Sequence, residues 1–244
     1  MSVHIRVIAP IVPTGLTLAS DFEGILPADD RVDFTELDRG PETIECAGDS
    51  ARAAPGIIEK AVAAEREGAD AVVIDCMADP ALIAAREAVR IPVLGPCQSA
   101  MALAATLGHR FGVLSISRST HAAFARRARE YGLEASYAST RSVEMPVARL
   151  RADAALLRNR LLVAARQAVE EDGADTLLIG CTRMFAAAEL SADLRAAGLD
   201  VPVIDPVPAT IRMAKVLVES GLSHSERAYP TPRPAGVISL AVSG

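Results

Sequence analysis

Two stretches of this chain repeat each other, and each ends an apolar run with a cysteine. Residues 65–80 read EREGADAVVIDCMADP, and residues 170–185 read EEDGADTLLIGCTRMF. The Gly-Ala-Asp triplet, an isoleucine and the cysteine recur, so that Cys76 and Cys181 lie 105 residues apart. A repeat of this length predicts two similar lobes; a solenoid would repeat every 20 to 50 residues or so.

The alternation of short apolar runs with Ala-rich segments of helical period is typical of βα units around parallel sheets. Strands are predicted near residues 4–9, 31–37, 70–75, 91–94, 111–116, 133–138, 175–180 and 201–204. Helices are predicted between them. The fourth strand of each half and the residues that follow it, 91–104 and 201–214, also resemble each other. We therefore predict an α/β fold of two pseudo-symmetric lobes, each a mostly parallel four-stranded sheet flanked by helices, with the active site in the cleft between the lobes.

Composition narrows the class of partner. The formal net charge is −6 and aromatic residues make up 3% of the chain, which disfavours a nucleic-acid surface. No apolar run is long enough to span a bilayer, and the N-terminus lacks the apolar core of a signal peptide. A cytoplasmic protein that binds a small molecule, and neither nucleic acid nor membrane, is expected.

The cysteines and lysines argue against bound cofactors. The four cysteines show no C-x-x-C pair and no metal-ligand spacing with histidine, which predicts free thiols and no metal site. Only two lysines occur, Lys60 and Lys215, and both lie in helical patterns, so a Schiff-base lysine is not indicated. We expect no cofactor.

The positions of Cys76 and Cys181 predict acid–base chemistry. In parallel α/β sheets, ligands bind where strands end and helices begin. Asp79 and Pro80 match the N-cap and first residue of a helix directly after Cys76, and a helix N-terminus lowers a nearby thiol pKa from its usual value near 8.5. One thiolate could remove a proton from a substrate carbon while the other thiol returns a proton to its opposite face.

The motifs VIDCMADPAL and LLIGCTRM, followed by PVLGP and PVIDPV, resemble those of the aspartate/glutamate/hydantoin racemase superfamily. The D-C-x-x-D-P form around Cys76 is most similar to hydantoin and allantoin racemases. The resemblance implies a cofactor-independent racemase with Cys76 and Cys181 as its catalytic pair. It also implies that the helix near 207–220 crosses back onto the first lobe, so that residues 1–96 with 207–244 form one lobe and residues 97–206 the other.

The chain departs from the hydantoin racemase pattern in two places. The P-N-[TS] motif usual after the first strand is replaced by APIVPTG, in which Thr14 is the nearest hydroxyl. The sequence GCT around Cys181 is closer to amino-acid racemases. These departures predict a different ring substituent or a different substrate.

Further candidates lie at the ends of strands. SISRSTH at 115–121 offers hydroxyls and backbone N–H groups for a carbonyl or carboxylate, although simple helix capping explains it equally well. Asp75 could orient Cys76. Cys97 corresponds to Val207 in the second copy of the repeat and is therefore interpreted as a packing residue. Cys46 lies in an irregular stretch that indicates no function. The candidate substrate-binding residues are Pro10, Thr14, Asp75, Met77, Ser117, Ser119, Thr120, Thr182 and Arg183.

Several functions stay open at this point. The leading hypothesis is a racemase for a 5-substituted hydantoin or related cyclic ureide, followed by an aspartate/glutamate-type racemase. An isomerase of the maleate type or a decarboxylase of the arylmalonate type would use the same fold. A ligand-binding protein or a redox sensor that pairs Cys76 with Cys181 would need no turnover. The resemblance and the Ala-rich helices also predict a homo-oligomer.

Overall fold

Eight short runs form the strands of two sheets in the computed structural model, which describes residues 2–231. The strands are β1 (His4–Ala9), β2 (Arg31–Glu36), β3 (Ala71–Ile74), β4 (Val93–Leu94), β5 (Phe111–Ser115), β6 (Tyr137–Ser142), β7 (Thr176–Ile179) and β8 (Val203–Ile204). The sheets have the orders β2-β1-β3-β4 and β6-β5-β7-β8, and their neighbouring strands are parallel. The same order in both sheets confirms the α/β fold predicted from the repeat.

Helices fill the connections between the strands. They are α1 (Ala47–Arg66), α2 (Leu82–Ala88), α3 (Pro96–Leu107), α4 (His121–Glu130), α5 (Val147–Leu150), α6 (Ala154–Glu170), α7 (Ala187–Ala196) and α8 (Pro206–Glu219). The chain leaves α1 and α6 through Gly68 and Gly173, whose φ angles of +83° and +72° suit glycine. Within residues 2–231, no helix is both long and apolar enough to cross a membrane.

The central strands β3 and β7 are buried at every residue, because helices cover both faces of each sheet. Successive residues point to opposite faces, as strand geometry requires. Val72 and Ile74 pack in one core with Ile57 of α1, whereas Val73 packs in another with Ile211 of α8.

Each sheet is covered on one face by a helix that follows the last strand of the other sheet. Helix α3 follows a strand of the first sheet but packs on β5 and β7 of the second, and α8 follows the second sheet but packs on β1, β3 and β4. Helices α3 and α8 also contact each other. We propose a division into lobes at the starts of these helices, close to residues 96 and 206; the assigned tail 232–244 lies outside the described residues.

Strand β6 begins later than the sequence predicts. Residues 133–138 were expected to form it, but the strand spans Tyr137–Ser142 and Glu134–Ser136 form a 3-10 helix. The N–H of Leu133 donates to the carbonyl of Ala128 at the end of α4 (2.7 Å), and Gly132 has φ +73°. Leu133 is therefore the apolar residue of a helix-terminating motif, and its hydrophobicity is not a strand signal.

Candidate active site

The two cysteines of the repeat line the same site. Cys76 follows β3 and Cys181 follows β7, each two residues after the isoleucine that ends the strand. Both line a cavity of about 370 Å³ and a smaller one of about 50 Å³, which share Ile44 and Thr182 as well. A group held between the thiols therefore has space on two sides.

The larger cavity is mainly apolar. Its apolar wall includes Ile44, Met77, Ile116, Ala122, Ala123 and Phe124. Hydroxyl groups of Ser115, Ser119 and Thr120 also line it, and the Oγ atoms of Ser115 and Thr120 lie 2.6 Å apart. Such a cavity suits a substituent with a hydrocarbon body and a few polar atoms.

The smaller cavity is bounded by residues from both halves of the chain. Pro10, Ile11 and Thr17 come from the loop after β1, and Thr43 from the loop before α1. Asp75, Val147 and Arg183 complete the wall. Thr17 is buried, so this loop does bring one hydroxyl to the site.

The candidate residues from the sequence divide between these cavities. Met77, Ser119 and Thr120 line the larger one, Pro10, Asp75 and Arg183 the smaller one, and Thr182 lines both. Their roles in binding stay predictions.

Two candidates line neither cavity. Thr14 is exposed, and the Oγ of Ser117 accepts the N–H of Ser119 (3.3 Å) as a cap of the 3-10 helix Arg118–Thr120. Sequence reasoning missed Thr17, Thr43 and Cys46, because they lie in irregular loops without a counterpart in the repeat.

Burial controls the acidity of both thiols. It raises the pKa of Cys76 to about 12 and that of Cys181 to about 11. The N–H of Ala78, 3.4 Å from the Cys76 sulfur, and the backbone N–H and charge of Arg183 beside Cys181 lower these pKa values only in part. The expectation that helix N-termini lower a thiol pKa is wrong here, because α2 and α7 each begin six residues after the cysteine.

Comparison with known proteins gives the family. A sequence model of the family described as Asp/Glu/Hydantoin racemase matches residues 17–214. This chain belongs to that family.

Its relatives match most of the chain or nearly all of it. A hydantoin racemase of Rhizobium meliloti is 32% identical over 94% of this chain and 95% of that protein. A hydantoin racemase of Pseudomonas sp. (strain NS671) is 36% identical over 79% and 76%. The solved structure of the allantoin racemase from Klebsiella pneumoniae superposes with a TM-score of 0.88 at 30% identity, covering 100% of this chain and 97% of that one.

In this member of the Asp/Glu/hydantoin racemase family, Asp79 fixes the loop that carries Cys76. Its carboxylate accepts the N–H groups of Cys97 (3.0 Å) and Gln98 (2.9 Å) and the hydroxyl of Tyr131 (2.7 Å). Asp79 is thus a cap of α3, and the prediction that it caps the helix after Cys76 is wrong: α2 begins at Leu82. Three tertiary donors outweigh the local Asp-Pro pattern.

A chain of charged side chains, buried except for Arg151, crosses the cleft of the racemase fold. Arg183 contacts the carboxylate of Asp75 and donates to Asp21 (2.9 Å), which also accepts from Arg151 (2.8 Å). The side chains of Asp75 and Arg183 are only 1% and 9% exposed. Burial raises the pKa of Asp75, and the guanidinium of Arg183 and the hydroxyl of Thr182 oppose that rise. The direct contact with the permanently charged guanidinium of Arg183 stabilises the ionised form of the carboxylate.

The ring of Phe185 lies 5.2 Å from the guanidinium of Arg183 and 4.8 Å from that of Arg151. Both cations are therefore held by carboxylates and an aromatic face together. Among the described residues of this racemase-family chain, no three His, Cys, Asp or Glu side chains are grouped so that they could hold a metal ion.

Proposed function

We propose that this protein is a cofactor-independent racemase in which Cys76 and Cys181 act as the acid–base pair. The observation that carries the proposal is that both thiols line both cavities of a single cleft. Each thiol comes from a different half of the repeat, so the two approach a bound carbon from different lobes. This arrangement suits inversion of a stereocentre.

The proton transfers follow from general acid–base chemistry. One cysteine, as thiolate, takes the proton from the carbon, and the electron pair moves into the neighbouring carbonyl to form an enolate. The other cysteine, as thiol, then gives its proton to the opposite face. The high pKa values of the partly buried thiols make the thiolate a stronger base than a free cysteine, which helps against a weakly acidic C–H bond.

The substrate class we propose is a 5-substituted hydantoin or a related cyclic ureide. The relatives named as hydantoin and allantoin racemases support this class. The mainly apolar cavity of about 370 Å³ can take the 5-substituent, while the polar edge of the ring lies toward the smaller cavity.

An aspartate/glutamate-type racemase is the second candidate, but the charges of the smaller cavity disfavour it. A free α-carboxylate held in this cavity would need hydrogen-bond donors or a cation that protein carboxylates do not already engage. Arg183, the cationic residue that lines this cavity, is already paired with Asp75 and Asp21. Asp21 is shared with Arg151, so among the described residues the charges of this cluster balance and leave no unpaired cation for a substrate carboxylate.

The test uses single enantiomers of 5-substituted hydantoins, allantoin, aspartate and glutamate in deuterated buffer without added cofactor. We expect the cyclic ureides to lose optical rotation and to gain one deuterium at the stereocentre, and the amino acids to remain unchanged. A sample without protein measures spontaneous exchange. If all substrates keep both proton and handedness, the racemase proposal fails; a decarboxylase, an isomerase of the maleate type or a binding protein would then be tested.

The rate should depend strongly on pH. Catalysis requires one ionised and one protonated thiol, and both pKa values lie far above neutrality, at about 11 and about 12. Raising the pH increases the fraction of protein molecules that carry one thiolate, so kcat/KM should rise about tenfold per pH unit from about pH 7 to 9. Initial rates by chiral chromatography, corrected for the protein-free reaction, test this. A plateau already at pH 7 would contradict it.

A further inference from the structure

One carboxylate oxygen next to the thiols has no hydrogen bond. The Oδ2 atom of Asp75 contacts Arg183, but its Oδ1 atom is buried and has no partner among residues 2–231. Buried polar atoms almost always have a partner, so each exception asks for an explanation. Asp75 lines the smaller cavity together with both cysteines.

The rest of Asp75 is held firmly in place. Its backbone N–H donates to the carbonyl of Ile8 (2.8 Å), and its own carbonyl accepts the hydroxyl of Thr182 (3.3 Å). With Oδ2 held by Arg183, the side chain cannot turn away without breaking a buried ion pair. Its Oδ1 is thus a preorganised acceptor beside Cys76.

The repeat does not supply a second acceptor of this kind. Gly180 occupies the position equivalent to Asp75, directly before Cys181. A Cβ atom at Gly180 would lie 2.8 Å from the carbonyl oxygen of Leu114, so the close approach of β5 excludes a side chain. The two thiols are related by the repeat, whereas the acceptor is present on one side only.

We propose that Oδ1 of Asp75 accepts a hydrogen bond from a ring N–H of the substrate and thereby sets the orientation of the ring between the two thiols. An ionised carboxylate only accepts hydrogen bonds, so its partner must be a donor. A ring N–H fits, whereas a carbonyl oxygen or a carboxylate would be repelled. The proposal deepens the proposed function and rests on it for the identity of the ring.

The test compares one 5-substituted hydantoin with its N1-methyl and N3-methyl derivatives. In a cavity of about 50 Å³, a methyl group in place of the bonded hydrogen removes the donor and adds bulk. For wild type, we expect one methyl derivative to bind about 10- to 100-fold more weakly than the parent and the other to bind within about threefold of it. Isothermal titration calorimetry measures binding whether or not turnover occurs.

The variant D75N converts the acceptor into a donor at nearly constant volume. Its amide oxygen can still accept from Arg183, which leaves the NH₂ group facing the substrate N–H. We expect the parent to bind at least about tenfold more weakly and the difference between the two methyl derivatives to shrink to within about threefold. D21N is the control, because it removes the other carboxylate of Arg183 but leaves Oδ1 in place, and it should keep the wild-type discrimination.

The outcomes separate the two proposals. If wild type binds the three compounds equally, or if D75N discriminates as wild type does, the role of Asp75 is wrong even where racemisation is observed. If discrimination appears and is lost in D75N but no compound racemises, the binding role stands and the proposed racemase function falls.

Discussion

The single substitutions Cys76→Ser and Cys181→Ser should each lower kcat/KM for racemisation by about 10²- to 10⁴-fold. A serine hydroxyl is a far weaker acid than a thiol, so it can neither give nor take the proton at a useful rate. The two cysteines line the same cavities, and loss of either removes the group that serves one face of the substrate carbon. Chiral chromatography of each enantiomer measures the loss.

The single variants should also differ from each other in a way that a purely structural defect would not produce. Cys76→Ser retains Cys181 and should exchange deuterium into one enantiomer without inverting it. Cys181→Ser should do the same for the opposite enantiomer. If a single variant exchanges both enantiomers equally, a scheme with one thiol on each face is wrong.

Cys97→Ala serves as the matched control for these variants. Cys97 is fully buried, lines neither cavity and corresponds to a valine, Val207, in the repeat. We expect its kcat/KM to stay within about threefold of wild type, since its thiol has only packing to provide.

Gly95→Ala should lower the free energy of unfolding by about 3 to 5 kcal/mol. A Cβ atom at this position would lie 2.4 Å from the Cγ of Asp79, which cannot move aside without giving up three hydrogen bonds. The φ of Gly95 is −110°, so the cost comes from this contact and not from backbone strain. Thermal and urea unfolding measure the change.

Gly48→Ala adds the same methyl group where there is room. Its Cβ would meet only the sulfur of Cys46, at an ordinary 3.6 Å, and the residue lies in the first turn of α1. We expect no loss of stability and a gain of up to about 1 kcal/mol from the better helix propensity of alanine. If both variants lose the same stability, the contact with Asp79 does not explain the Gly95 result.

The amino-acid sequence by itself determined the elements that depend on local pattern. The apolar runs before Cys76 and Cys181 predicted the buried strands β3 and β7, and Gly68 and Gly173 take the positive φ angles that end the helices before them. The repeat then placed both cysteines at equivalent strand ends. These features can be predicted from the sequence because strand periodicity and helix-ending glycines depend on only a few neighbouring residues.

The tertiary structure decided what local pattern could not. Asp79 follows an N-cap pattern, yet it caps α3, because three donors from distant residues converge on its carboxylate. The thiols are weak acids because residues of both lobes surround and partly desolvate them, and helix dipoles lie too far away to compensate. Likewise, the ion pair between Asp75 and Arg183 joins residues 108 positions apart. Solvation and ion pairing depend on distances through space, which the fold sets only when the two halves of the chain meet.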